Sequence, residues 1–356
     1  MTMTPRKRVE AVLRGERPDR VPFTVYETKL PRCEAERRLR GEGVCLVAHS
    51  PSTFKTLSPN VTREQITYIQ DGISYVRTHI RTPAGELSSL DRVSPQGDIA
   101  WEVEWPFKGP EDYRALAFMV RDEVYLPDYD AFVQAQGMMG EDGFLMADIG
   151  PPPFQYVMES LMGLVNFAQE WVERRDEVLR LYDAVVENRR RLYGIVAASP
   201  VLAANYGGNV TSEVVGVKRF ETYYLPHYDE FAEVMHARGK KVGVHFDTNV
   251  WVLSEAIGRS QIDYVEGFTP RPDTDMSVAE ARCAWPGKVL WVNFPTSVHQ
   301  ERVEGVGETM RQILFEAAPG DRFLMGITEQ MPAGRWQESL STILRVINER
   351  GKLPLR

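Results

Sequence analysis

His245 and Asp247 are the residues whose types and spacing most plainly offer chemistry. They close the apolar run of KVGVHFDTN (241–249), with a polar Asn249 beyond. Side chains two apart on a strand point the same way, so an imidazole and a carboxylate are presented together. Such a pair can hold a divalent ion or move a proton. On a barrel strand both would project from the C-terminal mouth, where enzymes of that architecture keep their chemistry. In a loop the same two residues would be ordinary solvated groups.

The segments that must position this pair form a rhythm of short apolar strand, polar corner and amphipathic helix. Strands are expected at VPFTVYE, VCLVAH, GFLMADIG (143–150), PVLAANYG (200–207), KVGVHFD (241–247), IDYVEGF (262–268), VLWVNFP (289–295) and RFLMGITE (322–329). Between the later ones lie helical stretches such as VNFAQEWVERRDEVLRLYDAVVENRRRLYGIVAA, YYLPHYDEFAEVMHARG, WVLSEAIG, VEGVGETMRQILFEAA and WQESLSTILRVINERG. Strand alternating with helix builds a parallel sheet from βαβ units, and the strand count favours a closed (β/α)₈ TIM barrel over an open doubly wound sheet. Neither a GxGxxG after the first strand nor a GxxxxGK[ST] occurs, which weakens nucleotide-binding versions of the open sheet. Near the start, Thr4 caps a helix with Pro5 at its first position, and a second helix runs from about Pro31 to Gly41 or Gly43. ITYIQ, Asp71-Gly72 and ISYVRTHIR have the composition of two antiparallel strands about a tight turn, ended by TPAGE. The organisation expected is one barrel domain over 1–356 with a β-ribbon insertion over 66–90 and an irregular stretch from Ser88 to Asp130.

Composition bounds the partners. The 356 residues are 43% hydrophobic and 26% charged, enough apolar material for a large core. A net charge of -8 without a dense Lys/Arg tract argues against nucleic acid. No run approaches the roughly 20 apolar residues of a membrane span, and the basic opening lacks the apolar centre of a signal peptide, which reads as a cytoplasmic protein. Cys33, Cys45 and Cys283 are scattered and odd in number, which argues against a disulfide scaffold and against any CxxC zinc site. A homodimer is compatible with this composition but not specified by it.

The expected strand ends gather Tyr26 and Glu27, Asp148, Asn205, Tyr206 and Asn209, His245 and Asp247, Glu266, Phe268, Asn293 and Glu329. A barrel would collect them at one rim. Asp148, Asn209 and Asn293 serve equally well as helix caps or turn residues. Glu266 and Glu329 follow apolar strands directly, and a carboxylate buried there needs a cation, a proton or a polar substrate. His245, Asp247, Glu329, Glu27 and Asp148 are therefore the candidate catalytic groups. Tyr26, Asn205, Tyr206, Asn209, Phe268 and Asn293 are the candidate substrate contacts.

Several blocks, in order, carry a family resemblance. The opening TPRKRVEAVLRGERPDRVP resembles that of the uroporphyrinogen decarboxylase superfamily, and IGPPPFQYVMESLMG (149–163) looks like its GPF-type segment. NYGGNVTSEVVGVKRFETYYLPHYDEFAEVMHARGKKVGVHFDTN resembles the block leading into its HxCGN or HxDGN, and GITEQMPAGRW is similar to its GCExPPGTP segment in drifted form. The resemblance covers nearly the whole chain and implies a (β/α)₈ barrel.

It also implies a choice of chemistry. True decarboxylases of this superfamily grip porphyrinogen carboxylates with an arginine-rich loop. Here YETKLPRCEAERRLRGEG places Glu27 where a cationic cradle is expected and offers Arg32 alone, which disfavours tetrapyrrole decarboxylation. The corrinoid-dependent methyltransferases of the superfamily hold zinc with the His and Cys of HxC and a late second Cys. In this chain Asp247 stands for the first cysteine and Thr328, beside Glu329, for the second. The resemblance then implies zinc held by His245 with Asp247 and Glu329, or with Glu266 in place of one of them. The activity implied is methyl transfer from a small methoxy- or methylamine-type substrate to a corrinoid on a partner protein. The alternative left open is a lyase acting on a carboxylated substrate by metal-free acid/base chemistry.

Overall fold

A computed structural model describes residues 2–94 and 100–356, and its chain falls into two compact units. The first comprises Met1–Thr53, Asp128–Gly150 and Val196–Arg356. It contains nine parallel strand segments. Phe23–Tyr26 pairs with Val44–Ala48 on one side and Phe323–Ile327 on the other. Val44–Ala48 then pairs with Gly143–Leu145, and Ala147–Asp148 pairs with Ala203–Gly208. Lys241–His245, Tyr264–Phe268 and Val289–Asn293 complete the circuit. Met146 only interrupts the third stave, its N–H donating to the Ala48 carbonyl at 3.0 Å. The segments therefore form the eight staves of a closed (β/α)₈ barrel, as expected.

These strands read as continuous apolar runs because both faces are covered, one by the barrel interior and one by helices. Val289–Asn293 and Phe323–Ile327 are buried at every position. Cys45, Val47, Phe144, Met146, Tyr264, Trp291 and Leu324 pack together inside, joined by Val9, Val12 and Leu13 of the helix Pro5–Leu13. That helix starts as expected, with the Thr4 side chain accepting from the Lys7 N–H and Pro5 at its first position. Trp291 keeps its indole N–H satisfied by donating to the Thr24 hydroxyl at 2.8 Å.

The second unit comprises Phe54–Pro127 and Pro151–Ile195. The Asp71-Gly72 hairpin forms as expected, joining Thr62–Gln70 to Ile73–Thr82, with both turn residues at positive φ. TPAGE does not end the ribbon. The Thr82 hydroxyl accepts from the Ala84 N–H and donates to the Gly85 carbonyl, turning the chain into a third strand, Gly85–Val93, and Ala100–Glu104 adds a fourth. Residues 95–99 of the irregular stretch lie outside the described residues. The helical run expected from residue 165 to 198 is two helices, Leu164–Glu173 and Arg175–Ala198, parted at Arg174, whose φ of -141° leaves the helical region. Among the described residues no helix is long and apolar enough to cross a membrane.

Candidate metal centre at the barrel mouth

Alternation along Lys241–His245 sends Phe246 outward and His245 with Asp247 inward. Phe246 meets Phe220 and Tyr228 among the helices. The imidazole lies where two glycines leave room. A Cβ on Gly267 would come within 2.4 Å of the ring, and one on Gly208 within 2.5 Å of the His245 Cβ. Gly267, at φ +69°, is also where the sixth stave bulges, its register skipping between Glu266 and Phe268.

The imidazole has two differently furnished sides. Nδ1 lies 2.6 Å from Oε2 of Glu266, a carboxylate with no solvent exposure. Tyr26 donates its hydroxyl to Oε1 of the same group at 2.6 Å, and the Asn205 amide reaches Oε2 at 3.3 Å. Tyr264 in turn donates to the Asn205 amide oxygen at 2.9 Å. On the other side, Nε2 faces Oδ2 of Asp247 at 3.8 Å and Oε1 of Glu329 at 3.6 Å. One donor atom from each of His245, Asp247 and Glu329 lies within 4.8 Å of the others, the group that could hold a metal ion among the described residues.

The electrostatics follow from this crowding. Burial opposes charge on Glu266, but the His245 ring and the Tyr26 hydroxyl outweigh it and hold the carboxyl below its usual range. Burial likewise pulls the His245 pKa down, and Glu266, Glu329 and Asp247 together lift it well above the ordinary imidazole value. Asp247 is pushed up by burial, with its neighbouring carboxylates adding to the effect. Glu329 is held low by His245 against partial burial. Burial and then Glu266 raise the Tyr26 phenol far above its usual range.

Three features fit this group to a cation. One imidazole, itself mostly buried, faces three carboxylates, an excess of negative charge. Oδ1 of Asp247 is buried with no hydrogen-bond partner. A tetrahedral zinc with bonds of about 2.1 Å separates its ligand atoms by about 3.4 Å, close to the observed spacing of Nε2 from the two carboxylate oxygens.

Glu266, expected from sequence as a further ligand, instead stands behind the ring with both oxygens engaged. Tyr26 and Asn205 join that inner network. Tyr206, next to the inward Asn205, necessarily faces out, and its ring meets Tyr228 and Phe231 of the helix Leu225–His236 at 5.5 Å. Phe268 would face inward by alternation from Glu266, but the Gly267 bulge turns it edge-on against Trp285 at 5.7 Å. Both aromatic side chains are fully buried and belong to the packing beneath the helices. Asp148 accepts from the Gly150 N–H at 2.6 Å, and Asn293 bridges the Thr328 N–H and the Thr269 hydroxyl. Asn209 is exposed at φ +54°, and its N–H donates to the His245 carbonyl. These three hold turns at the rim. Glu27 lines a cavity of about 730 Å³ with Arg32, Cys33 and Met138, whose lining includes none of His245, Asp247 and Glu329. Tyr264 belongs to this network, through Asn205, and was passed over by the strand-end reading. Tyr264 shares the face of Glu266, two positions before it, so alternation would have found it.

A closed (β/α)₈ barrel with an imidazole–carboxylate cluster at its C-terminal mouth is the class that fold and site define. No family model matches the chain, and no curated protein matches it. Among solved structures it is similar to a methyltransferase from Methanosarcina mazei, with a TM-score of 0.60 at 11% identity over 98% of this chain and 99% of that one. At that identity the likeness shows a shared fold.

Proposed function

We propose that this chain is a metal-dependent methyltransferase, a divergent relative of the uroporphyrinogen decarboxylase superfamily on its corrinoid-dependent side. The observation that carries the reading is the convergence of His245 Nε2, Asp247 Oδ2 and Glu329 Oε1 at the barrel mouth. The full-length fold likeness to a protein titled a methyltransferase supports it.

His245, Asp247 and Glu329 would hold zinc. Bound there, the ion supplies Lewis acidity toward the oxygen or nitrogen that carries the methyl group. The chain's own contribution is to keep that site in order. Glu266 accepts from Nδ1–H, which fixes the ring and leaves the Nε2 lone pair for a ligand bond. Tyr26 and Asn205 fix Glu266 in turn. With nitrogen and carboxylate donors and no thiolate, the set is harder than a cysteine site and suits activation of a methoxy or methylamine donor. The acceptor would be a reduced corrinoid on a partner protein. A lyase acting on a carboxylated substrate is disfavoured, because three carboxylates around one imidazole would repel such a ligand.

The test is metal analysis of the purified protein, followed by assay of methyl transfer from methanol, methylamines and aryl methyl ethers to reduced corrinoid. Stoichiometric zinc, lost in His245→Ala, with turnover of one of these donors is the expected result. Wild-type protein that binds no divalent metal overturns the metal site, and metal-loaded protein that demethylates none of these donors overturns the activity.

A further inference from the structure

His49 follows the second stave, Val44–Ala48, and makes none of the hydrogen bonds described above. Cys45 and Val47 both lie in the interior cluster, so alternation carries His49 inward, at the rim of the mouth. Its ring stands edge-on to that of Tyr26, centroids 5.0 Å apart at 80°, and it is close enough to Glu266 to favour that carboxylate's charge. Its Nε2 is buried and makes no hydrogen bond among the described residues. Buried side-chain nitrogens are almost always paired, and leaving one open costs stability unless something else occupies the bond. The neighbours explain why nothing in the protein does so. The Tyr26 hydroxyl, the nearest polar group on the facing ring, is committed to Glu266.

We propose that His49 is a substrate contact, its Nε2 held open to hydrogen-bond an oxygen or nitrogen atom of the small molecule bound at the barrel mouth. Identifying that atom as the one that carries the methyl group rests on the proposed function. That the nitrogen is reserved for a ligand does not. His49 and the ligand set would then both contact the substrate bound at the mouth. His49 is not a metal ligand, and its loss leaves the cluster of His245, Asp247 and Glu329 intact.

Three variants in the zinc-loaded protein test this. His49→Phe keeps the ring contact with Tyr26 and removes the open nitrogen. A group kept for a ligand makes that variant's melting temperature equal to the wild type's or about 2 °C higher without substrate, since an unsatisfied polar atom is gone. Its kcat/KM for the methyl donor falls about tenfold or more, with zinc content unchanged. His49→Gln, whose amide nitrogen can occupy the position of Nε2, recovers much of that loss, whereas His49→Asn, which reaches only the position of Nδ1, does not. A lowered melting temperature or lost zinc in His49→Phe makes His49 structural and overturns the proposal, as does unchanged turnover. If the wild type transfers no methyl group, the proposed function fails, and the melting comparison still decides whether the nitrogen is reserved.

Discussion

Replacing Glu266 with Gln changes one atom and sets three hydrogen-bond donors against a single acceptor. In the wild type Tyr26 O–H, His245 Nδ1–H and the Asn205 amide all point at one carboxylate, the first two at 2.6 Å. A glutamine has one carbonyl oxygen, so its NH₂ must face either Tyr26 or His245. Facing His245, it requires Nδ1 to accept, which moves the ring proton to Nε2 and removes the lone pair turned toward Asp247 and Glu329. Facing Tyr26, it leaves the imidazole on a neutral partner that holds it less firmly. Partners that orient a ligating histidine are worth about 10- to 100-fold in metal affinity, or about 1.4–2.7 kcal/mol. Glu266→Gln is expected to fall at the upper end, because burial leaves no water to replace the lost acceptor. Competition against a chromophoric zinc chelator measures the dissociation constant, and circular dichroism checks that the variant folds. A folded Glu266→Gln protein with wild-type zinc affinity would refute the argument that this carboxylate sets the ring for metal binding.

Other perturbations act on separate features. Gly267→Ala puts a methyl group within 2.4 Å of the His245 ring at a backbone angle that alanine resists, and should cost about 2 kcal/mol in denaturant unfolding along with bound metal. Asp19→Asn removes the charge paired with the nearly buried Arg8 guanidinium, 2.6 Å from it, and should cost at most about 3 kcal/mol by urea denaturation. His299 is pushed down to about 4 by burial, its Nδ1 lying 2.6 Å from the Ser339 hydroxyl. Because the unfolded chain takes up this proton first, stability is highest above about 6.5 and declines as pH falls toward 4, by about 3 kcal/mol for this group. His299→Gln should flatten that part of the stability–pH curve, and an unchanged slope would show that other groups cause it.

Much of the barrel was legible because its strands are apolar on both faces and its helices on one. FLMGI and VLWVN could be placed from composition alone, and Thr4-Pro5 marked its helix by cap chemistry. The pairing of His245 with Asp247 followed from strand periodicity, which holds along Lys241–His245. The same rule failed at Phe268 because one residue, Gly267, takes a left-handed conformation and turns the strand's last side chain to the opposite face. Nothing in YVEGF distinguishes that glycine from one in a regular strand. Glu266 was recognised as a carboxylate needing a partner, but which side of the imidazole it would occupy depends on Tyr26, a residue 240 positions away. His49 could have been found by counting two and four positions from Val47 and Cys45. It was hidden by the modest appearance of VCLVAH.

The seam that closes the cylinder joins Phe23–Val25 to Met325–Ile327, about three hundred residues along the chain. Tyr26 reaches Glu266 from one side of this seam, and Glu329 reaches His245 from the other. The Tyr26–Glu266 hydrogen bond that steadies the cluster therefore cannot form on any part of the polypeptide that lacks either edge, and it comes into being only with ring closure, the most non-local event in folding. An ion gripping Asp247 and Glu329 together would tie the end of Lys241–His245 to the end of Phe323–Ile327 on one side of that seam, so that occupancy and the packing of this arc would report on each other.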